Sequence, residues 1–346
     1  MHIQAAKIQK YSDICKFSAQ YLQNSFFFST FASKFTQMNT FGDSFAFISF
    51  GESHSAAIGG VLDGVPAGLH IDLRMIREAL DRRAGRNQQS ACGVSARAVR
   101  EADEVEWLSG VMDGVTLGTP IAFLIRNRDA RPEDYEAFKH SLRHAHADST
   151  YEAKYGIRDW RGGGRASARE TAARVVAGTI AAQLLAEKGI QIKARLVQVG
   201  DETHPEHFDE VINRYRAEGD SIGGIIACEV TGLPAGLGEP IFDKLQAHLA
   251  YAMLSINACK GFDYGSGFEG VTQPGSIANA HSGGLLGGIS DGTPLTFRCV
   301  FKPTPSTPKA GVKGRHDSCV AVRAVPVVEA MTALVLANFA DERVKG

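Results

Sequence analysis

At 346 residues, with 44% hydrophobic and 22% charged positions and a formal net charge of −1, the chain has the composition of a globular protein with a large core. That balance gives no support for bulk nucleic-acid binding, which calls for a basic excess. The six cysteines form no C-x-x-C pair and read as reduced, mostly buried thiols of a cytoplasmic protein, and no apolar run reads as long enough to span a bilayer.

Residues 1–37 carry four lysines, one acid, several serines and the run Phe26-Phe27-Phe28. They read as an N-terminal extension, non-native or disordered, with a natural start at Met38. Beyond it, short apolar runs predict strands over 45–50, 121–126, 224–230 and 295–302, and alternation predicts another over 190–199. Helices are expected over 72–83, 168–188 and 241–254, and over 325–339 with Pro326 in the first turn. The proline-rich stretch 302–308 is a loop.

The two halves echo one another. Gly64-Val-Pro66-Ala-Gly68-Leu69 precedes a helix, and Gly118-Thr-Pro120 leads into a strand; Gly232-Leu-Pro234-Ala-Gly236-Leu237 and Gly292-Thr-Pro294 repeat that order. The expected fold is therefore α/β: one domain over 38–346 with an internal duplication, about 45–126 and 222–302, whose two pseudo-symmetric β-α-β units pack as a layered sandwich around central helices.

The most informative stretch is Arg161-Gly-Gly-Gly-Arg165-Ala-Ser167-Ala-Arg169-Glu170. Glycines let backbone amides approach a ligand, and Ser167 with Glu170 reads as a capping box opening the 168–188 helix. A helix N-terminus beside Arg165 and Arg169 points to phosphate or another anion. Further arginines at Arg82, Arg83, Arg86, Arg315 and Arg323 suggest a small polyanionic ligand. The plain alternative is a tight turn with solvated arginines.

Other motifs fall in line: Gly51-Glu-Ser-His54, His146-Ala-Asp148, Tyr155-Gly-Ile-Arg-Asp159, Ser255-Ile-Asn257-Ala258, Gly287-Gly-Ile-Ser290, Lys302-Pro-Thr304 and Gly314-Arg-His-Asp317. Together, from Met38 to the C-terminus, they closely resemble the chorismate synthase family. The resemblance implies a carbon–oxygen lyase of the shikimate pathway. Its reaction is 1,4-anti elimination of phosphate from 5-enolpyruvylshikimate 3-phosphate to give chorismate, with reduced FMN required although no net redox change occurs. It also implies NADPH as a candidate reductant, a homotetramer, and an external flavin reductase as candidate partner.

Residue roles carried by the resemblance are these. His54 protonates the departing phosphate, His146 acts near the reduced flavin, and Asp317 assists proton removal at flavin N5. FMN contacts fall on Arg165, Ala166, Ser167, Asn257, Ala258, Gly287, Lys302, Pro303, Thr304, Pro305, Ser306 and Arg315. Arg83 matches an arginine linked to substrate or NADP binding, and Arg86 is the choice for a second. Read without the family, each histidine could be a hydrogen-bonded structural group and Arg315-His-Asp317 a surface turn. No metal is expected: His140, His144 and His146 have a ligand-like spacing, but no further Cys or His motif completes a tetrahedral set.

The chain departs from the family pattern at Ser55, where Gly is usual, at His144-Ala145, at Ser318 where Pro is usual, and in a longer segment over 85–99. Two other readings thus stay beside the lyase: a divergent flavin- or anion-binding paralogue, and an FMN-dependent oxidoreductase. The second lacks a strand–turn–helix G-x-G-x-x-G fingerprint for a pyridine nucleotide.

Overall fold

The computed structural model describes residues 39–86, 102–128, 130, 132–143, 146–305, 307–310 and 317–340. The 1–37 extension, most of the 85–99 segment, His144, Ala145, Ser306 and Arg315 lie outside the described residues. The chain divides into Met1–Phe41, of which only the last three residues are described, and Gly42–Gly346, to which the elements and sites below belong.

Strands β1 (Ala46–Phe50), β2 (Ala57–Asp63), β3 (Val105–Ser109) and β4 (Ile121–Arg126) build a first antiparallel sheet in the order β1-β2-β4-β3. Helix α1 (Leu73–Ala84) lies between β2 and β3 in sequence; Asp72 caps its start by accepting from the Arg74 N–H, and Gly85 closes it at φ 76°. After α2 (Asp148–Tyr155) and α3 (Thr171–Glu187) comes a second antiparallel sheet. It consists of β5 (Gln191–Val199), β6 (Gly224–Thr231), β7 (Cys259–Tyr264) and β8 (Leu295–Phe301), in the order β5-β6-β8-β7. Helix α4 (Phe208–Ala217) joins β5 to β6, α5 (Leu245–Leu254) joins β6 to β7, and α6 (Ala321–Ala340) ends the described chain. The strand order matches in both sheets, and β5 takes the place of β1, upstream of the expected start at 222.

The repeated G-x-P-A-G-L turns are held by the same brace. Thr116 Oγ1 donates to the Pro66 carbonyl (2.6 Å) and accepts from the Leu69 N–H (3.0 Å). Ser290 Oγ donates to the Pro234 carbonyl (2.6 Å) and accepts from the Leu237 N–H (2.9 Å). A short hydroxyl side chain at the end of a two-residue hairpin thus satisfies turn groups that would otherwise be buried without a partner.

Helices α3 and α6 pack against each other between the sheets, α3 against β2 of the first and α6 against β5 and β6 of the second. They approach closely because Gly178 faces Ala330, where any Cβ would overlap the α6 backbone. Apart from Thr171, Thr179 and Gln183, which bond to Ala168, Val175 and Asp72, the buried face of α3 is apolar or small.

Several expectations need correction. The last helix begins at Ala321, so Pro326 lies one turn inside it, where the absent N–H leaves only one carbonyl unmatched. Helix α5 starts at Leu245 rather than 241. Helix α6, at 20 residues, is in fact long and apolar enough to cross a membrane, contrary to the reading of the runs, but most of it is buried between the sheets. The capping box is half formed. Ser167 Oγ accepts from the Arg169 N–H (3.3 Å), while the Glu170 carboxylate turns to Arg174 (2.9 Å), and residues 168–170 make a 3-10 turn before α3.

Candidate active site

The three glycines of Arg161–Arg165 serve a different contact from the one their spacing suggests. Gly162 (φ 60°) and Gly164 (φ 52°) are left-handed, and a Cβ at Gly162 would overlap the His54 ring and Ser53 Oγ. The His54 side chain is buried, with Nδ1 3.0 Å from Ser53 Oγ and its ring edge-on to Tyr135 at 4.9 Å. Arg165 reaches back to the same loop, donating to the carbonyls of Gly51 (3.1 Å) and Ser49 (3.2 Å).

The carbonyl of Gly162 leads to the second histidine. Arg143 donates from Nη2 to the Gly162 carbonyl (2.6 Å) and to Asp148 Oδ1 (2.6 Å), while Nε binds Asp148 Oδ2 (2.9 Å). His146 Nδ1 lies 2.7 Å from Asp148 Oδ1 and 3.1 Å from Arg143 Nη2; the shorter contact, to an ionised carboxylate, assigns the proton to Nδ1, which donates to Asp148. The ring is thereby fixed with Nε2 as its remaining proton site. Burial and the adjacent Arg143 lower the His146 pKa against the opposing pull of Asp148. Burial would raise Asp148, but the Arg143 hydrogen bonds outweigh it and hold the carboxyl below the usual range. Helix α2 begins at this aspartate, which occupies its first turn.

Three segments expected to meet FMN are bonded to their neighbours in the fold. Asn257 Nδ2 donates to the Ala166 carbonyl (3.0 Å), the Lys302 N–H donates to the Ala258 carbonyl (3.0 Å), and Ser221 Oγ donates to the Thr304 carbonyl (2.7 Å). Ala258 holds a left-handed φ of 67°, unusual for a residue with a Cβ. Arg165, Ala166, Ser167, Asn257, Ala258, Lys302 and Thr304 are half-buried, and Pro303 and Pro305 exposed, so a ligand can reach this edge. Gly287 lies apart, on the wall of a cavity of about 650 Å³ with Gln246, Phe262 and Tyr264.

Asp317 accepts from Arg323 Nη1 (2.6 Å), whose Nε donates to the Arg83 carbonyl (2.9 Å). Arg83 is itself buried. Its guanidinium binds Thr171 Oγ1 (2.9 Å), Asp103 (3.3 Å) and the Ala168 carbonyl (2.7 Å), pinning the start of α3. Burial and the nearby Arg323 push the Arg83 pKa down to about 9, which leaves it charged at neutral pH. Arg86 pairs with Asp81 at 2.7 Å. Between Arg83, Thr171, Asn257 and Arg323 runs a cleft of about 20 Å³, room for about one water.

The arginine cluster is therefore not uniformly anion-seeking. Arg169 is buried against Asp103, Asn127 Oδ1 and the Arg126 carbonyl, so the bidentate ligand contact expected of it is spent inside the protein. Arg174 pairs with Glu170 and Arg143 with Asp148. Among the described residues, Arg165 and Lys302 have no carboxylate partner, and both sit at the half-buried edge. Ser55, the departure from the family at the histidine loop, is accommodated. Its Oγ donates within the turn to the Glu52 (2.9 Å) and Ala57 (2.8 Å) carbonyls and accepts from the Glu52 N–H (3.1 Å).

Sequence reasoning missed Arg143, Tyr135 and the orienting part played by Asp148. The i,i+2 spacing of His146 and Asp148 carried a signal for the last; nothing marked Arg143 among the many arginines.

Comparison with known proteins decides the family. The chorismate synthase family model matches residues 45–340. The chain belongs to the chorismate synthase family. It is 45% identical to the chorismate synthase of Christiangramia forsetii, with 87% of this chain and 97% of that protein covered. It is also 45% identical to the chorismate synthase of Porphyromonas gingivalis, with 87% and 95% covered. A crystal structure of chorismate synthase superposes with a TM-score of 0.69 at 30% identity, covering 87% of this chain and 92% of that one. Membership makes the protein a carbon–oxygen lyase of chorismate biosynthesis with the mixed α/β fold of the family.

Proposed function

We propose that the chain converts 5-enolpyruvylshikimate 3-phosphate to chorismate and phosphate by 1,4-anti elimination in the presence of reduced FMN. The observation that carries this reading is the convergence of His54, His146 and the Ala166–Asn257–Ala258–Lys302 edge on one glycine-rich segment. The donor set suits a flavin nucleotide. Asn257 Oδ1 is a buried acceptor that no hydrogen bond satisfies, fit for a ring N–H. Arg165 and Lys302 bring uncompensated positive charge for a phosphate. Bound there, reduced FMN supplies the transient electron donation that the elimination requires.

In this reading His54 holds the proton delivered to the departing phosphate, with Ser53 Oγ fixing its ring. His146 is oriented by Asp148, while burial and Arg143 disfavour its charged form, so that Nε2 can take or hand over a proton near the flavin edge. Asp317, paired with Arg323, assists proton removal, and Arg83 acts by shaping the start of α3 behind the site. Gly287, Pro303, Pro305, Ser306 and Arg315 complete the flavin contacts, with Arg86 beside the substrate. NADPH as reductant, a separate flavin reductase, a homotetramer and a cytoplasmic location complete the proposal, as does a duplication that relates the two sheets.

The test is anaerobic phosphate release from 5-enolpyruvylshikimate 3-phosphate with chemically reduced FMN, following chorismate by absorbance. Turnover with reduced but not oxidised FMN supports the lyase. Tight FMN binding without turnover would instead favour the binding paralogue.

A further inference from the structure

Away from the candidate site, where β5 gives way to α4, three side chains with metal-binding atoms converge. Glu202, His204 and His207 each offer one such atom, and the three atoms lie within 4.8 Å of one another. His204 Nδ1 lies 2.9 Å from Glu202 Oε1, and His207 Nδ1 lies 3.5 Å from Glu202 Oε2. Zinc at about 2.0–2.1 Å from each ligand atom would set adjacent ligand atoms roughly 3.3–3.4 Å apart, a value between these two contacts, which are made to different oxygens of the one carboxylate.

The corner that carries them is already rigid. Val199 and Glu202 exchange both backbone hydrogen bonds (2.9 and 3.0 Å), and the Gly200 N–H binds the Gly223 carbonyl (3.0 Å). Pro205 opens a 3-10 turn closed by the His207 N–H on the His204 carbonyl (3.0 Å), and buried Phe208 anchors the first turn of α4. Glu202 Oε1 accepts the N–H groups of Thr203 (2.9 Å) and His204 (2.8 Å), so the carboxylate is oriented before any ligand arrives. Binding therefore orders little, which is where a preorganised site gains affinity.

We propose that Glu202, His204 and His207 form a surface site for a divalent transition metal of the zinc class. Two imidazoles and one carboxylate supply three ligands, water completes the set, and the mix of nitrogen and oxygen favours Zn²⁺, Co²⁺ or Ni²⁺ over Mg²⁺ or Ca²⁺. The exposed histidines leave the fourth position open to solvent or to a ligand from another molecule.

Titration of the purified chain with Co²⁺, read by its visible d–d absorption, tests this, because four-coordinate cobalt absorbs far more strongly than the hexaaquo ion. One equivalent should give the intense spectrum, Zn²⁺ should displace it, and Mg²⁺ should not. His204→Ala and His207→Ala should each weaken binding by at least about 10- to 100-fold, the loss that an outer-shell partner alone causes. The two side chains are exposed, so both variants should keep the parent circular dichroism. Absence of the intense spectrum in the parent chain, or its persistence in the folded double variant, would overturn the site. Neither readout depends on turnover or on flavin.

Discussion

Gly162 lies against the imidazole of His54, and its carbonyl is held by Arg143, which also holds the carboxylate that orients His146. One backbone residue thus links the surroundings of the two histidines. Gly162→Ala would force a side chain into the His54 ring from a left-handed backbone, at a cost of about 1–2 kcal/mol for the conformation alone. Turnover should fall by at least about 100-fold, with a Tm loss of several degrees. A variant that keeps parental kcat would show that the contact does not position His54.

Asp148→Asn tests the orientation of His146. The amide can still meet Nδ1–H, but Arg143 and Arg158 lose their counter-charge, so the imidazole pKa falls further. Turnover should drop on the order of 10- to 100-fold with KM little changed, and the acid limb of the kcat–pH profile should move to lower pH. Unchanged pH dependence would remove Asp148 from the site's electrostatics.

The same carboxylate makes a stability prediction with a definite sign. Its folded pKa is depressed below the unfolded value of about 3.9. The contribution is therefore fully present above about pH 4 to 5 and is lost as pH falls through the folded value. Thermal melts should show Asp148→Asn less stable than the parent at pH 7, the gap narrowing steadily below about pH 4. A gap independent of pH would point to packing rather than charge.

How much of this was legible beforehand depended on how local the cause was. The caps of α1, Asp72 and Gly85, stand in the sequence next to the helix they bound, and so do the G-x-P-A-G-L turns. Strand β2 was missed because Gly59 and Gly60 interrupt its apolar run. Their purpose is tertiary, since a Cβ at Gly60 would overlap the Phe47 ring and one at Gly59 the Phe123 carbonyl. Arg83 and Arg169 looked available to an anion because their shared partner, Asp103, is 20 and 66 positions away. The histidines and the glycine-rich segment were visible as motifs. The Arg143–Asp148 clamp that joins them exists only in the fold.

Asp103 is the hinge of that hidden network. It faces Arg83 and Arg169 in a site almost closed to solvent, and Arg323 adds a third positive charge nearby. Asp103→Ala should destabilise the chain by about 3–5 kcal/mol, because two buried guanidiniums lose their counter-charge. Adding Arg83→Met should recover part of that loss. Denaturant unfolding of the single and double variants measures the coupling; strictly additive effects would contradict the network.

Asn257 separates ligand binding from folding. Replacing it with Ala removes one hydrogen bond to the Ala166 carbonyl, a loss of about 1 kcal/mol, and also removes a buried acceptor whose unmatched state costs about 1–3 kcal/mol. The two effects oppose each other, so the melting temperature without ligand should change by no more than a degree or two. If Oδ1 awaits a flavin N–H, the variant loses that bond outright, and FMN affinity should fall by about 5- to 30-fold, measured by fluorescence quenching. Equal FMN affinity in parent and variant would show that the orphaned oxygen faces no ligand. A large fall in thermal stability would show instead that Asn257 serves mainly to tie the β7 entry to the glycine-rich segment.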